Sequence, residues 1–141
     1  GLARKRAILA QAAARTPDKL TAEIALCEYG GFEIAMMAAA MTIAAKAQRI
    51  IIVDGFISSV AALCAVRLAP SCRASLIFAH RSAEGGHGIV RDALGAEPLL
   101  DLDMRLGEGT GALLAFPLVK AAASILRDMA SFESANISGP A

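Results

Sequence analysis

Glu108 is set apart by its neighbours. It lies in Arg105-Leu106-Gly107-Glu108-Gly109-Thr110-Gly111-Ala112, after the apolar-acidic stretch 98–104 and ahead of a long apolar helical pattern. Glycines let a backbone turn sharply and let a ligand come close to it. Among apolar groups such as Met104 and Leu106, a carboxylate is poorly hydrated, so its pKa rises and it can serve as a base near neutral pH. The same residues also fit a plain strand-to-helix turn with a solvated Glu, since a helix N-terminus favours negative charge.

Three other segments carry groups with chemical potential. Asp54-Gly55-Phe56-Ile57-Ser58-Ser59 follows an apolar run and opens a helical pattern. Backbone N–H groups at such a helix start can hold a phosphate, with Ser58 and Ser59 as extra donors; an ordinary N-cap and tight turn fits equally. His80-Arg81-Ser82-Ala83-Glu84-Gly85-Gly86 combines a cation, a hydroxyl and glycines, which suits an anion. There Ser82 would donate and Arg81 add charge, although a solvated loop with His80 as a packing residue needs no ligand. Gly30-Gly31-Phe32-Glu33-Ile34-Ala35-Met36-Met37 offers methionines for an apolar pocket or for plain core, and Glu33 suits a helix start. Neither GxGxxG nor GxxxxGK[ST] occurs, so neither dinucleotide-binding glycines nor a P-loop is supported.

The elements that must position these groups follow from periodicity and breakers. Helices are expected over 2–14, from Pro17 (with Thr16 as N-cap) to about 28, and over about 32–47. A buried strand spans 49–54, a helix 57–68 and a strand 74–78, followed by the polar loop 80–86. A helix over 87–94 stops at Gly95, and a short strand covers 97–100. A last helix covers 111–129, with Pro117 marking a kink or a later start; the tail 138–141 is expected to be loose. This alternation predicts an α/β fold with a parallel sheet and helices packed on it, a three-layer, Rossmann-like arrangement. One domain is expected, helical over 1–48, with a strand–helix–strand core and site loops over 49–112 and a helical segment over 113–141. Ligands of open α/β sheets bind at the carboxyl ends of strands, which brings segments 54–56, 80–88 and 106–111 to one site.

Composition narrows the class. The chain has 141 residues, 56% hydrophobic and 19% charged, which excludes a disordered chain. The net charge of +1 and 4% aromatic content give no nucleic-acid footprint. The apolar stretches 34–45 and 111–126 fall short of the roughly 20 residues of a membrane span, or are interrupted by Pro117 and Lys120, and read as buried helices. No signal-peptide pattern is seen, so a cytoplasmic protein is expected. Cys27, Cys64 and Cys72 have no metal-like spacing and are expected as buried free thiols; with only His80 and His87 as histidines, no metal and no cofactor is expected. Gly1 stands in place of an initiator Met inside a helical pattern, the expectation being part of a longer protein.

Taken in order, the motifs Gly30-Gly31-Phe32-Glu33-Ile34, Val53-Asp54-Gly55-Phe56-Ile57-Ser58, His80-Arg81-Ser82-Ala83-Glu84, Pro98-Leu99-Leu100-Asp101 and Met104 to Ala112 carry a resemblance. The chain resembles the nicotinate-nucleotide–dimethylbenzimidazole phosphoribosyltransferases, a family of cobalamin-biosynthesis pentosyltransferases. The likeness covers essentially the whole chain but corresponds to the C-terminal part of the family, less than half of a complete enzyme. It implies attack of 5,6-dimethylbenzimidazole on nicotinate mononucleotide, giving α-ribazole 5′-phosphate and nicotinate. By the resemblance, Glu108 is the general base. Gly55, Phe56 and Ser82 match positions near the nucleotide phosphate and ribose, and Leu106 and Gly107 match the wall around the base. Lys5, or Arg4, falls near a phosphate-contacting lysine, and a homodimer is implied. Two other readings stand beside this one: a non-catalytic nucleotide- or phosphate-binding α/β domain, and an inactive structural fragment.

Overall fold

The computed structural model of the chain describes residues 1–16, 20–131 and 134–135. Three helices open it: α1 (Leu2–Ala13), α2 (Ala22–Tyr29) and α3 (Phe32–Lys46). Thr21, rather than the expected Thr16, caps α2, its Oγ1 accepting from Ile24 N–H at 3.3 Å. Thr16 instead sits 2.6 Å from the Tyr29 hydroxyl, which donates to Ala12 O at 2.8 Å and ties α2 to α1. Pro17 and the tail 138–141 lie outside the described residues. Glu33 in the first turn of α3 and Lys46 in its last complement the helix dipole.

Strands and helices then alternate: β1 (Ile51–Val53), α4 (Gly55–Leu68), a 3₁₀ helix (Pro70–Ser75), β2 (Leu76–Phe78), β3 (His80–Ser82), α5 (His87–Leu94), β4 (Leu100–Met104) and α6 (Thr110–Asp128). Pairing is parallel throughout, as an α/β fold requires, with β1 beside β2 and β3 beside β4. The expected single sheet is two short pairs joined at Ala79. Its N–H donates to Val53 O at 2.9 Å on one side, and its carbonyl accepts from Leu100 N–H at 3.0 Å on the other.

Two strand boundaries correct the sequence expectation. His80–Ser82, read as loop, is a strand, and the strand expected over 97–100 begins at Leu100 and runs to Met104. Both are polar or acidic, and ladder pairing rather than side-chain propensity makes them strands. Their register slips: His80 to Ser82, a step of two, faces Leu100 to Met104, a step of four. Asp103, at φ +51°, takes up the irregularity on β4.

The core gathers around α4. Ala61, Ala62 and Ala65 are fully buried, and their small side chains let α3, α5 and the strands pack closely on that helix. Val53, Leu76, Phe78, Val90 and Leu94 complete the cluster. Side chains such as Leu76 and Phe78 stabilise the fold by roughly 1.5–3 kcal/mol each when buried. Gly95, at φ +54°, ends α5 in the left-handed conformation that its missing Cβ permits. Arg73 then donates to Leu94 O and Gly95 O at 3.0 and 2.9 Å.

The outer helices differ from expectation. The apolar stretches read as buried are only partly so: α3 buries Ala38 and Met41 and half-buries others, with Ile34, Met37 and Ala45 against the core, whereas α6 buries only Gly111 and Ala115 and is largely exposed. Helix α6 runs through Pro117 without a later start, and by length and composition alone it is long and apolar enough to cross a membrane. An apolar pattern says that a face avoids water; it does not say what covers that face. Of the three thiols, Cys72 is buried and Cys64 half-buried, and burial pushes both thiols up, whereas Cys27 is exposed.

Candidate functional site

The ends of β1 and β3 and the turn before α6 surround a cleft of about 670 Å³. Gly55, Phe56, Ser82, Gly107 and Glu108 line it. Leu106 does not, being 74% exposed beside the turn, and Lys5 is exposed on α1 away from the cleft lining. Met37 of α3 contributes to the wall, while Met36 faces solvent. Arg105, to which the residue-level reading gave no role, also lines the cleft; its place three residues before Glu108 was the available signal.

One wall is built from α4 and α5. Gly55, at φ +67°, turns the chain from β1 into α4. Asp54 occupies the N-cap position of α4 but makes no side-chain cap bond to it, so the first N–H groups of that helix open toward the cleft without a cap. In this structure both serine hydroxyls are turned to the backbone: Ser58 Oγ donates to Asp54 O, and Ser59 Oγ donates to Gly55 O at 2.6 Å. Phe56 packs against Gly86, where a Cβ would come within 2.5 Å of the ring, and its ring centroid lies 6.4 Å from that of His87.

His87 holds this wall from beneath. It is 1% exposed. Its Nδ1 accepts from Ser82 N–H at 2.9 Å, and its Nε2 lies 3.2 Å from Ser59 Oγ. Because the Ser59 proton goes to Gly55 O, the ring proton sits on Nε2 and points at Ser59. Burial first, then the charge of Arg91, holds the imidazole below the ordinary histidine range. Ser82 Oγ accepts from Glu84 N–H at 3.3 Å, which leaves its hydroxyl proton to a ligand.

The other wall is the turn bearing Glu108. Gly107, Glu108 and Gly109 all have positive φ, at +81°, +58° and +82°. Glycine adopts this conformation freely, whereas Glu108 is strained there. Thr110 closes the turn, its N–H and Oγ1 both donating to Gly107 O at 3.1 and 2.8 Å. Of the two settings the residues allow, a poorly hydrated carboxylate or a solvated one, the structure shows the solvated one: Glu108 is exposed within the left-handed run.

Beneath both walls, Asp54 Oδ1 accepts from Ala112 N–H at 3.0 Å and lies 3.1 Å from His80 Nδ1. His80 is buried, and its Nδ1 has no well-directed partner. Arg81, on the opposite face of β3, does not reach the cleft as expected but pairs with Asp101 at 3.0 Å. It borders a separate hollow of about 970 Å³ with Arg73 and Arg91. That hollow lies where the chain enters β4 rather than at the strands' carboxyl ends, and Arg73 is already committed to the end of α5.

A family model described as phosphoribosyltransferase matches residues 1–137. A nicotinate-nucleotide–dimethylbenzimidazole phosphoribosyltransferase of Bradyrhizobium sp. is 54% identical over 142 residues, covering 99% of this chain and 40% of the relative. One from Dechloromonas aromatica is 55% identical over 141 residues, covering 98% of this chain and 40% of the relative. The crystal structure of the enzyme so named from Thermus thermophilus superposes with a TM-score of 0.87 at 42% identity, over 99% of this chain and 42% of that one. The chain thus spans about 40% of the length of the curated relatives it matches.

Proposed function

The chain belongs to the phosphoribosyltransferase family whose curated relatives are named nicotinate-nucleotide–dimethylbenzimidazole phosphoribosyltransferase, and on that premise we propose that its cleft is part of the site of that reaction. In the whole enzyme, a ring nitrogen of 5,6-dimethylbenzimidazole attacks the anomeric carbon of nicotinate mononucleotide. The bond from that carbon to the nicotinate nitrogen breaks, the configuration inverts, and α-ribazole 5′-phosphate and nicotinate form. The benzimidazole N–H proton passes to Glu108. No cofactor takes part.

The observation that carries this reading is the pairing of unlike walls in one cleft: the Glu108 carboxylate presented by a glycine turn, together with an uncapped helix N-terminus; Asp54 and Glu84 line the same cleft. The N–H groups at Gly55 and Phe56 suit the phosphate and ribose, and the free Ser82 proton adds a donor. Arg105 supplies positive charge. Gly107 and the exposed Leu106 offer a flank to the aromatic base. Positioning of the two substrates supplies much of the acceleration, and the base roughly 10²–10⁴-fold. We place the enzyme in the cytoplasm as a homodimer, which sedimentation of the whole protein at twice its monomer mass checks.

The test is a substrate-to-product assay on the full-length enzyme, read by mass spectrometry for α-ribazole 5′-phosphate. The parent enzyme forms product, and Glu108→Gln retains nucleotide binding but loses turnover. Near-normal turnover in Glu108→Gln rejects the base assignment.

A further inference from the structure

Asp54 ends β1 and stands where the N-cap of α4 belongs, yet its side chain makes no bond to that helix. Its Oδ1 reaches across the cleft floor to the N–H of Ala112, 58 residues later and the third residue of α6, at 3.0 Å. Asp54 thus caps a helix it does not precede, meeting one of the N–H groups that every helix start leaves open. The site is built for this contact. A Cβ on Gly111 would fall on His80 Nδ1 and Asp54 Oδ1, so only glycine lets the start of α6 come this close. The Asp54 side chain is 13% exposed and that of His80 2%, so water competes weakly for the bond.

This contact matters because α6 has few other attachments. Its buried residues are Gly111 and Ala115 alone, both in its first turns. The strained turn 107–109 lies immediately before it. Upstream, the same turn is tied through Ala83 N–H donating to Met104 O at 3.3 Å. Downstream, the tie is Asp54.

We propose that Asp54 is a positioning residue for Glu108: by capping α6 from below, it fixes where the 107–109 turn presents the carboxylate. The proposal rests on the reading of Glu108 as the base. Misplacing a reacting group by about 1 Å can cost on the order of 10²-fold in rate, so loss of this tie reaches catalysis through the position of Glu108.

The experiment compares Asp54→Ala and Asp54→Asn in the full-length enzyme, with two readouts. The amide oxygen of Asn can still accept from Ala112 N–H, whereas Ala cannot. Asp54→Ala is expected to lower kcat on the order of 10²-fold with little change in KM for nicotinate mononucleotide, and Asp54→Asn to recover at least about ten-fold of that loss through the restored acceptor. Hydrogen exchange followed by mass spectrometry is expected to show faster exchange over residues 105–116 in Asp54→Ala than in the parent, with residues 60–68 of α4 unchanged. Unchanged exchange over 105–116 overturns the proposal, whatever the activity. So does an equal loss of kcat in both variants, which would give the charge itself a chemical role. Turnover surviving in Glu108→Gln would instead reject the base assignment, while the exchange readout still tests the tie.

Discussion

The two walls of the cleft are made by opposite means. The Gly55–Phe56 wall rests on buried hydrogen bonds: His87, Ser82 N–H, Ser59 and Gly55 O form one chain beneath it, and Phe56 lies against Gly86. The Glu108 wall is exposed, held in three successive left-handed residues, and fastened mainly by Thr110 and Asp54. A phosphate is met well by fixed N–H groups, which gain from being rigid before the ligand arrives. A base must meet a proton that appears at one point in space, and a strained turn holds a carboxylate there at a cost in stability. Stability and activity should therefore respond in opposite senses on the two sides.

The largest test of that contrast is Glu108→Gln in the whole enzyme, expected to lower kcat by roughly 10²–10⁴-fold while leaving the thermal midpoint within a degree or two of the parent, about the scale of a neutral surface change. A large fall in the midpoint would show that the carboxylate supports the fold. Next, Gly111→Ala should destabilise by roughly 1–3 kcal/mol, because the added Cβ overpacks the Asp54–His80 floor. Chemical denaturation measures this, and an unchanged midpoint would mean that α6 is free to move aside.

On the buried wall, His87→Ala leaves Ser82 N–H without its acceptor and should cost about 1–3 kcal/mol. The same residue sets a pH dependence. Its folded-state pKa is lowered, so as pH falls below the ordinary value near 6.5 the unfolded chain takes up the proton first. Stability declines from there until the folded pKa is passed, and stays level above the ordinary value on this account. In His87→Gln that portion of the decline should disappear; a parallel pH profile in the variant would assign it to other groups. The smallest effect on stability is expected from Glu108→Gly, which relieves the left-handed residue and should raise stability by up to about 1 kcal/mol, with turnover lowered as in Glu108→Gln. A loss of stability there would mean that the turn is relaxed as it stands.

Much of this architecture is visible in the residues. The helix at His87–Leu94 with its stop at Gly95, and the apolar run that becomes β1, follow from periodicity and a glycine at positive φ. Parallel α/β alternation follows from them. The hidden parts are those that long-range pairing decides. His80-Arg81-Ser82 has no strand propensity to display, and its ladder partner lies far along the chain at Leu100–Met104. The cap from Asp54 to Ala112 has no local signature, because a side chain at an N-cap position normally serves its own helix. The exposure of α6 is hidden as well, because its apolar residues, among them Leu113, Phe116 and Leu126, lie on faces that nothing within the described residues covers. Glycine-bearing motifs in order point to the cleft, but the exposure of Glu108 depends on three successive left-handed residues, which no spacing of residue types reveals.

Strand β3 has a consequence for how this protein can change over time. His80 and Ser82 lie on the cleft side, while Arg81, on the other, pairs with Asp101. Side chains on a strand alternate, so parity alone decides which of them serves the cleft. Substitutions here can be sampled one side chain at a time. A single-residue insertion or deletion at the Ala79 junction would exchange both faces together, turning Arg81 inward and sending His80 and Ser82 away. Length is therefore the inherited property of this stretch that drift cannot touch without dismantling both faces at once.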